Sequence, residues 1–203
     1  MPHALTLVRQ PKPLKPFNGD PREWAFFLGN FNSQVSNGLL DDSQRLVLLR
    51  ESLTPQVANR IINLLYDGKN FQAALDALTK RYGHPYLIAR AHLESLSRLP
   101  TVKEEYSSLS HFVAELNSAV AALQGTGYDL ELKSTTLLTQ LLGKLPVTLR
   151  RKWGSHVTGI LPNQPTLLDF NDWIETESLG VLYGSLHVTT TKSLEGIEAN
   201  SRR

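Results

Sequence analysis

"KPFNGDPREWAFFLGNFNSQV", residues 15–35, passes from a proline-flanked arm into an amphipathic helix within a few positions. Asp20 is a good N-cap, Pro21 suits the first helical position, and Glu23 stands three residues after the cap, as in a capping box. Trp24, Phe27, Leu28, Phe31 and Val35 then fall at i, i+3, i+4, i+7 and i+11, on one helical face. Gly19 permits a turn that brings Phe17 back onto that aromatic face. The stretch predicts a capped core helix with an ordered entrance.

The rest of the chain repeats this grammar. Asp41 with Gln44 opens a second helix carrying Leu46, Leu49 and Leu53. Thr54-Pro55 stops it and caps a third, with Val57, Ala58, Ile61, Ile62 and Leu65 on one side. Asn70 caps a fourth, in which Phe71, Ala74, Leu75, Leu78 and Tyr82 keep the spacing until Gly83 ends it. "GHP" at residues 83–85 is the sharpest break. Beyond it the pattern predicts a helix with Ile88, Leu93 and Leu96, and a longer one from Leu109 to Leu123 closed by "GTG" at 125–127. A leucine-rich helix ends in "KLP" at 144–146. A short helix with Leu149 and Trp153 follows, and then a last helix capped by Thr166 and Asp169 and lined by Phe170, Trp173, Ile174 and Val181. No useful length alternates with period two. The expectation is an all-α protein of about nine helices, with residues 1–13 a flexible arm and 185–203 a flexible tail.

Composition narrows the function. The 203 residues are 41% hydrophobic, enough for real cores, and the formal net charge is +2. The first 83 residues hold ten Lys and Arg against seven Asp and Glu, the remainder eleven against twelve. Neither half has the basic character of a dedicated nucleic-acid binder. The absence of cysteine removes disulfides, zinc knuckles and thiol catalysis, and fits an intracellular protein. The N-terminal sequence does not read as a signal peptide, and no apolar run approaches a membrane span.

The residue types that carry chemistry are scattered. His3, His84, His92, His111, His156 and His187 form no H-E-x-x-H, and no carboxylate stands at a metal-ligand interval from them. Gly125-Thr126-Gly127 lacks the context of a phosphate loop and reads as a helix end. His84 before Pro85 reads as an N-cap or linker residue. Arg150, Arg151 and Lys152, beside Trp153, form the best nucleic-acid candidate, although such a short charge run is usually a solvated helix face. Trp153 reads as core. Exposed aromatics on the first and last helices would be the place for subunit contacts. No catalysis, cofactor or small-molecule substrate is expected.

Taken in order, "FNGDPREWAFFLGNF", "LLRESLTPQVANRI", "NFQAALDALTKRYGHP", "RAHLESLSRLP" and "LLGKLPVTLRRKW" resemble the Gag-like domain at the front of BEL/Pao-type retrotransposon polyproteins. The resemblance rests on F-x-G-D-P-x-x-W (Phe17, Gly19, Asp20, Pro21, Trp24, with Phe31 beyond), an L-x-x-x-A element, A-x-x-x-L-x-x-x-Y-G (ending at Tyr82 and Gly83) and K-L-P (with Leu145 and Pro146). More distantly, the layout is similar to two-lobed retroviral capsids. The resemblance implies an N-terminal lobe over 14–83 and a C-terminal lobe over 84–184 that carries a dimer contact. It also implies weak self-association into particles that package element RNA, in the cytoplasm and without a membrane partner, whereas the near-neutral halves and the missing knuckle predict that the chain alone binds RNA weakly and non-specifically. The chain departs from the family pattern in having no Cys/His knuckle and no Asp-Thr-Gly or Asp-Ser-Gly protease loop. It therefore reads as a fragment, a Gag-only product or a host-retained copy. A host-retained helical adaptor that holds a protein partner in an interhelical groove is the alternative.

Overall fold

The computed structural model describes residues 15–36 and 40–200, the last sixteen of these as backbone. Among them the regular structure is helical. It comprises α1 (Trp24–Val35), α2 (Asp42–Glu51), α3 (Pro55–Asn59), α4 (Phe71–Tyr82), α5 (Pro85–Arg98), α6 (Tyr106–Thr126), α7 (Thr135–Gly143), α8 (Val147–Val157) and α9 (Leu167–Asn200), with short 3₁₀ turns between several of them. The expected all-α architecture is the one observed. The expected arm over 1–13 lies outside the described residues.

The chain divides into two compact units, 1–91 and 92–203. The helix break stands where the sequence places it, with α4 ending at Tyr82 and α5 beginning at Pro85. His84 caps α5, its Nδ1 accepting the Tyr86 N–H at 3.2 Å. The division between the units comes later, inside α5, because Ile88 still packs against the first core.

In the first unit, the helix entrance forms as a 3₁₀ turn, Pro21–Glu23, that runs into α1. Asp20 caps it by accepting the Arg22 N–H at 3.0 Å. The reciprocal half of the expected capping box is made differently. Glu23 pairs with Lys15 at 3.2 Å, and Asn18 Oδ1 accepts the Asp20 N–H at 2.9 Å. The tight 3₁₀ turn places Glu23 one residue ahead of α1 proper. At α2 both halves of the box form, since the Gln44 N–H donates to Asp41 and the Asp41 N–H to Gln44 Oε1.

Two predicted helix starts differ. Thr54 has the extended backbone of a cap, but its side chain makes no cap bond and its Oγ1 is buried without a partner among the described residues. Here the backbone does the anchoring, through the Thr54 N–H to Phe17 oxygen at 3.0 Å. Asn70 likewise makes no side-chain cap. A 3₁₀ turn, Gly68–Asn70, precedes α4, and Asp67 caps that turn through the Lys69 N–H. The third helix is also shorter than its spacing predicts. It stops at Asn59, and the chain turns so that Ile61 and Leu65 are buried while Ile62 is 37% exposed. Ile61 caps a new 3₁₀ turn, Ile62–Leu64, with a backbone outside the helical region, so the face of α3 is not continued through Ile62.

The second unit is built on α6 and α9. Leu109, Phe112, Leu116 and Leu123 of α6 meet Phe170 and Ile174 of α9 in a buried core, with Phe112 and Phe170 edge to face. Leu137, Leu138 and Leu141 of α7 and Trp153 of α8 are also buried. The start of α9 is capped reciprocally. Asp169 Oδ2 accepts the Thr166 N–H at 2.8 Å, and the Asp169 N–H reaches Thr166 Oγ1 at 3.3 Å. This helix does not stop near Tyr183 but continues to Asn200, through residues expected to form a flexible tail. Extending a packed helix adds one hydrogen bond per residue fixed, without the cost of a new nucleus, so a segment with weak periodicity can follow a strong one.

Candidate functional site

The residues that carry the family resemblance come together from distant parts of the sequence. Phe17 is held in place by its backbone: its N–H donates to the Ser52 oxygen at 2.8 Å and its oxygen accepts the Thr54 N–H, in an isolated parallel bridge with Leu53. Gly19 makes the turn that follows with φ of 91°, a conformation that side chains other than glycine rarely take. The Phe17 ring then stacks on Phe27 at 4.9 Å and meets Trp24 and Tyr82 edge to face, at 5.4 and 5.2 Å. Phe31, completely buried, continues the cluster to Phe71 of α4. Each such ring pair contributes about 0.5–1.5 kcal/mol beyond area burial. Phe17, Trp24, Phe31 and Tyr82 are thus closed to solvent, and their role is to fix the segment around Phe17, α1 and α4 as one body.

The "KLP" motif is also a joint. Lys144 Nζ donates to the backbone oxygens of Ser97 and Leu99 at 2.9 and 2.6 Å, closing the C-terminal end of α5. In return the Val102 N–H donates to the Lys144 oxygen at 2.8 Å. Leu145 is buried and Pro146 leads into α8. The motif therefore ties the end of α5, at "RLP", to the α7–α8 turn.

The basic cluster is not gathered into one site. Arg150, Arg151 and Lys152 are consecutive on α8, and three consecutive helical residues spread over about 200° of the surface. All three are exposed, and Lys152 is paired with Glu177 of α9 at 2.6 Å. Lys152 and Pro146 share a groove of about 210 Å³ with Lys103, Glu104, Glu105 and Glu177, in which carboxylates outnumber ammonium groups. Trp153, the next residue, is buried against Phe170 and Trp173 at 5.3 and 5.2 Å.

Two features escape the sequence patterns. An open groove of about 680 Å³ in the first unit carries Arg60, Lys80 and Arg81 over an aliphatic floor that includes Ile61, Leu64 and Ala77. Its cations come from two elements, so no charge run announces it; the Lys80-Arg81 pair is the only local sign. The second feature is a set of exposed apolar side chains. Phe26 is 74% exposed on α1, and Leu179 and Tyr183, at i and i+4 on α9, are 44% and 59% exposed. Phe26 is out of phase with the apolar face of its helix, which is the signal that could have singled it out.

Among the described residues, no group of three or more His, Asp or Glu is placed to hold a metal ion, and no helix is long and apolar enough to cross a membrane. The molecule is thus a two-unit helical protein whose aromatic motif residues, with Leu145, are buried at joints between elements. The chain belongs to the family described as "protein of unknown function (DUF1759)", whose profile matches residues 17–160. Neither the curated proteins nor the solved structures yield a match to it.

Proposed function

We propose that the chain is the capsid-like structural subunit of a BEL/Pao-type retrotransposon Gag. On this reading it self-associates through its helical units into cytoplasmic particles that package element RNA. Domains of its family are found in retrotransposon and retroviral Gag-Pol-type polyproteins, which supports the reading. The observation that carries it is the apolar pair on α9. Phe170, Trp173 and Ile174 turn one side of that helix into the core, while Leu179 and Tyr183 stand exposed one turn apart, in the unit where a dimer contact is expected. Exposed apolar side chains at helical spacing suit a helix of a second copy. The chain itself performs no catalysis and takes no cofactor or small substrate, and its RNA binding is weak and without sequence preference.

Gradient sedimentation of lysate from cells producing the chain, with nuclease treatment of each fraction, tests this. Fast-sedimenting particles that protect RNA are expected. A chain confined to the top of the gradient, retaining a single defined protein partner, is the result the adaptor alternative predicts.

A further inference from the structure

The structure points to the groove of the first unit, walled by Arg60, Lys80 and Arg81, as a site for the phosphate backbone of single-stranded RNA. The three side chains are exposed, and among the described residues none of them makes an ion pair or a side-chain hydrogen bond. Several other cations of the chain are engaged. Arg22 pairs with Asp20, Arg45 with Asp42, Arg98 with Glu94 and Lys152 with Glu177, while Lys144 caps α5. No carboxylate lines the groove. Asp76, one turn before Lys80 on α4, is held by Gln72 at 2.8 Å. Three uncompensated positive charges around one concavity repel each other, and an anion entering it relieves that repulsion.

The shape and lining select the kind of anion. A groove open to solvent and about 680 Å³ in volume admits a strand that enters and leaves, which an enclosed small-ligand cavity does not. The aliphatic floor of Ile61, Leu64 and Ala77 offers contact to a base or sugar face, and the Asn59 and Asn63 amides at the rim both donate and accept hydrogen bonds. Phosphates then meet the cations, with two arginines suited to bidentate phosphate contact. A bilayer surface fits less well, because cations that line a concavity cannot all approach a flat array of headgroups. Such contacts hold the backbone and leave sequence unread.

This inference rests on the packaging reading only for the identity of the polymer, so binding and assembly are measured separately. Fluorescence anisotropy of a labelled mixed-sequence oligoribonucleotide is followed over a salt series with the full chain. The variant Arg60→Ala/Lys80→Ala/Arg81→Ala is compared with Arg150→Ala/Arg151→Ala/Lys152→Ala, which removes the same charge. All six side chains are exposed, and circular dichroism checks that both variants fold. The groove variant is expected to bind at least about tenfold more weakly, with a salt slope smaller by about 2. The α8 variant is expected to lose less than about threefold. Equal losses would show only an effect of net charge and overturn the site. So would an unaltered groove variant, absence of RNA binding by the parent chain, or binding to phosphatidylserine vesicles in preference to RNA. Light scattering without RNA reads assembly independently: a chain that never assembles but binds RNA through the groove sinks the capsid reading and leaves this site standing.

Discussion

Gly83 lies directly against the indole of Trp24: a methyl group added at the glycine would come within 2.3 Å of Nε1 and 2.8 Å of Cδ1. Two motif elements nearly sixty residues apart are therefore fitted to each other. Gly83→Ala forces the indole out of its place between Phe17 and Tyr82, an overpacking expected to destabilise the first unit by about 1–3 kcal/mol. Gly125, in the last turn of α6, has open space around its Cβ position, and Gly125→Ala should stabilise slightly, by up to about 1 kcal/mol. Urea unfolding followed by tryptophan fluorescence and circular dichroism compares them; equal effects would refute the Gly83–Trp24 fit.

Lys144 is expected to matter for stability through its hydrogen bonds. Lys144→Met keeps the aliphatic stem but leaves the Ser97 and Leu99 oxygens without their ammonium donor. A loss of about 1–2 kcal/mol follows for the second unit, below the upper range for charged donors because the site is partly open to water. Lys144→Arg should recover part of it. A neutral Lys144→Met in the same unfolding assay would mean that water replaces the donor without cost.

The helix caps separate what pattern shows from what geometry adds. Asp41→Ala removes a formed capping box and should cost about 1 kcal/mol. Asn70→Ala, at a position the sequence marks equally clearly, should be near neutral, since its side chain makes no cap bond. Thermal melts of the two variants decide it, and an Asn70→Ala loss as large as that of Asp41→Ala would contradict the assignment.

Those caps illustrate how far the sequence could be read. The faces of α1, α4 and α6 were legible because burial on one side imposes a repeat near 3.6 residues, and Trp24, Phe31, Leu78 and Leu116 carry it without interruption. The α3 region was not, because a single turn of helix followed by a 3₁₀ turn has too few residues to show any period. The Lys144 joint was hidden for a different reason: a side chain bonding a backbone 45 residues away leaves no mark in composition or spacing. The same holds for the groove of Arg60, Lys80 and Arg81, whose convergence depends on how α4 packs beside the turn after α3. The run at Arg150–Lys152 was conspicuous in sequence only because its charges are adjacent, and adjacency on a helix disperses them.

The exposed pair on α9 gives the interface reading a direct handle. Leu179→Glu/Tyr183→Glu should leave the fold intact, as both side chains are exposed, and shift self-association to at least about tenfold higher concentration, the loss of two apolar anchors costing more than 1.4 kcal/mol. Phe26→Glu on α1 is the comparison for a contact made by the first unit. Sedimentation velocity of the three proteins reads the difference, and self-association unaffected by the α9 changes would move the contact elsewhere.

The central claim is that this chain assembles with copies of itself through many individually weak contacts. Light scattering and negative-stain electron microscopy of the purified chain, over a series of protein and salt concentrations, test it most directly. The account predicts a monomer or weak dimer when dilute, and larger regular particles when concentrated or when salt screens residual charge between subunits. A chain that remains monomeric across the whole series would contradict it.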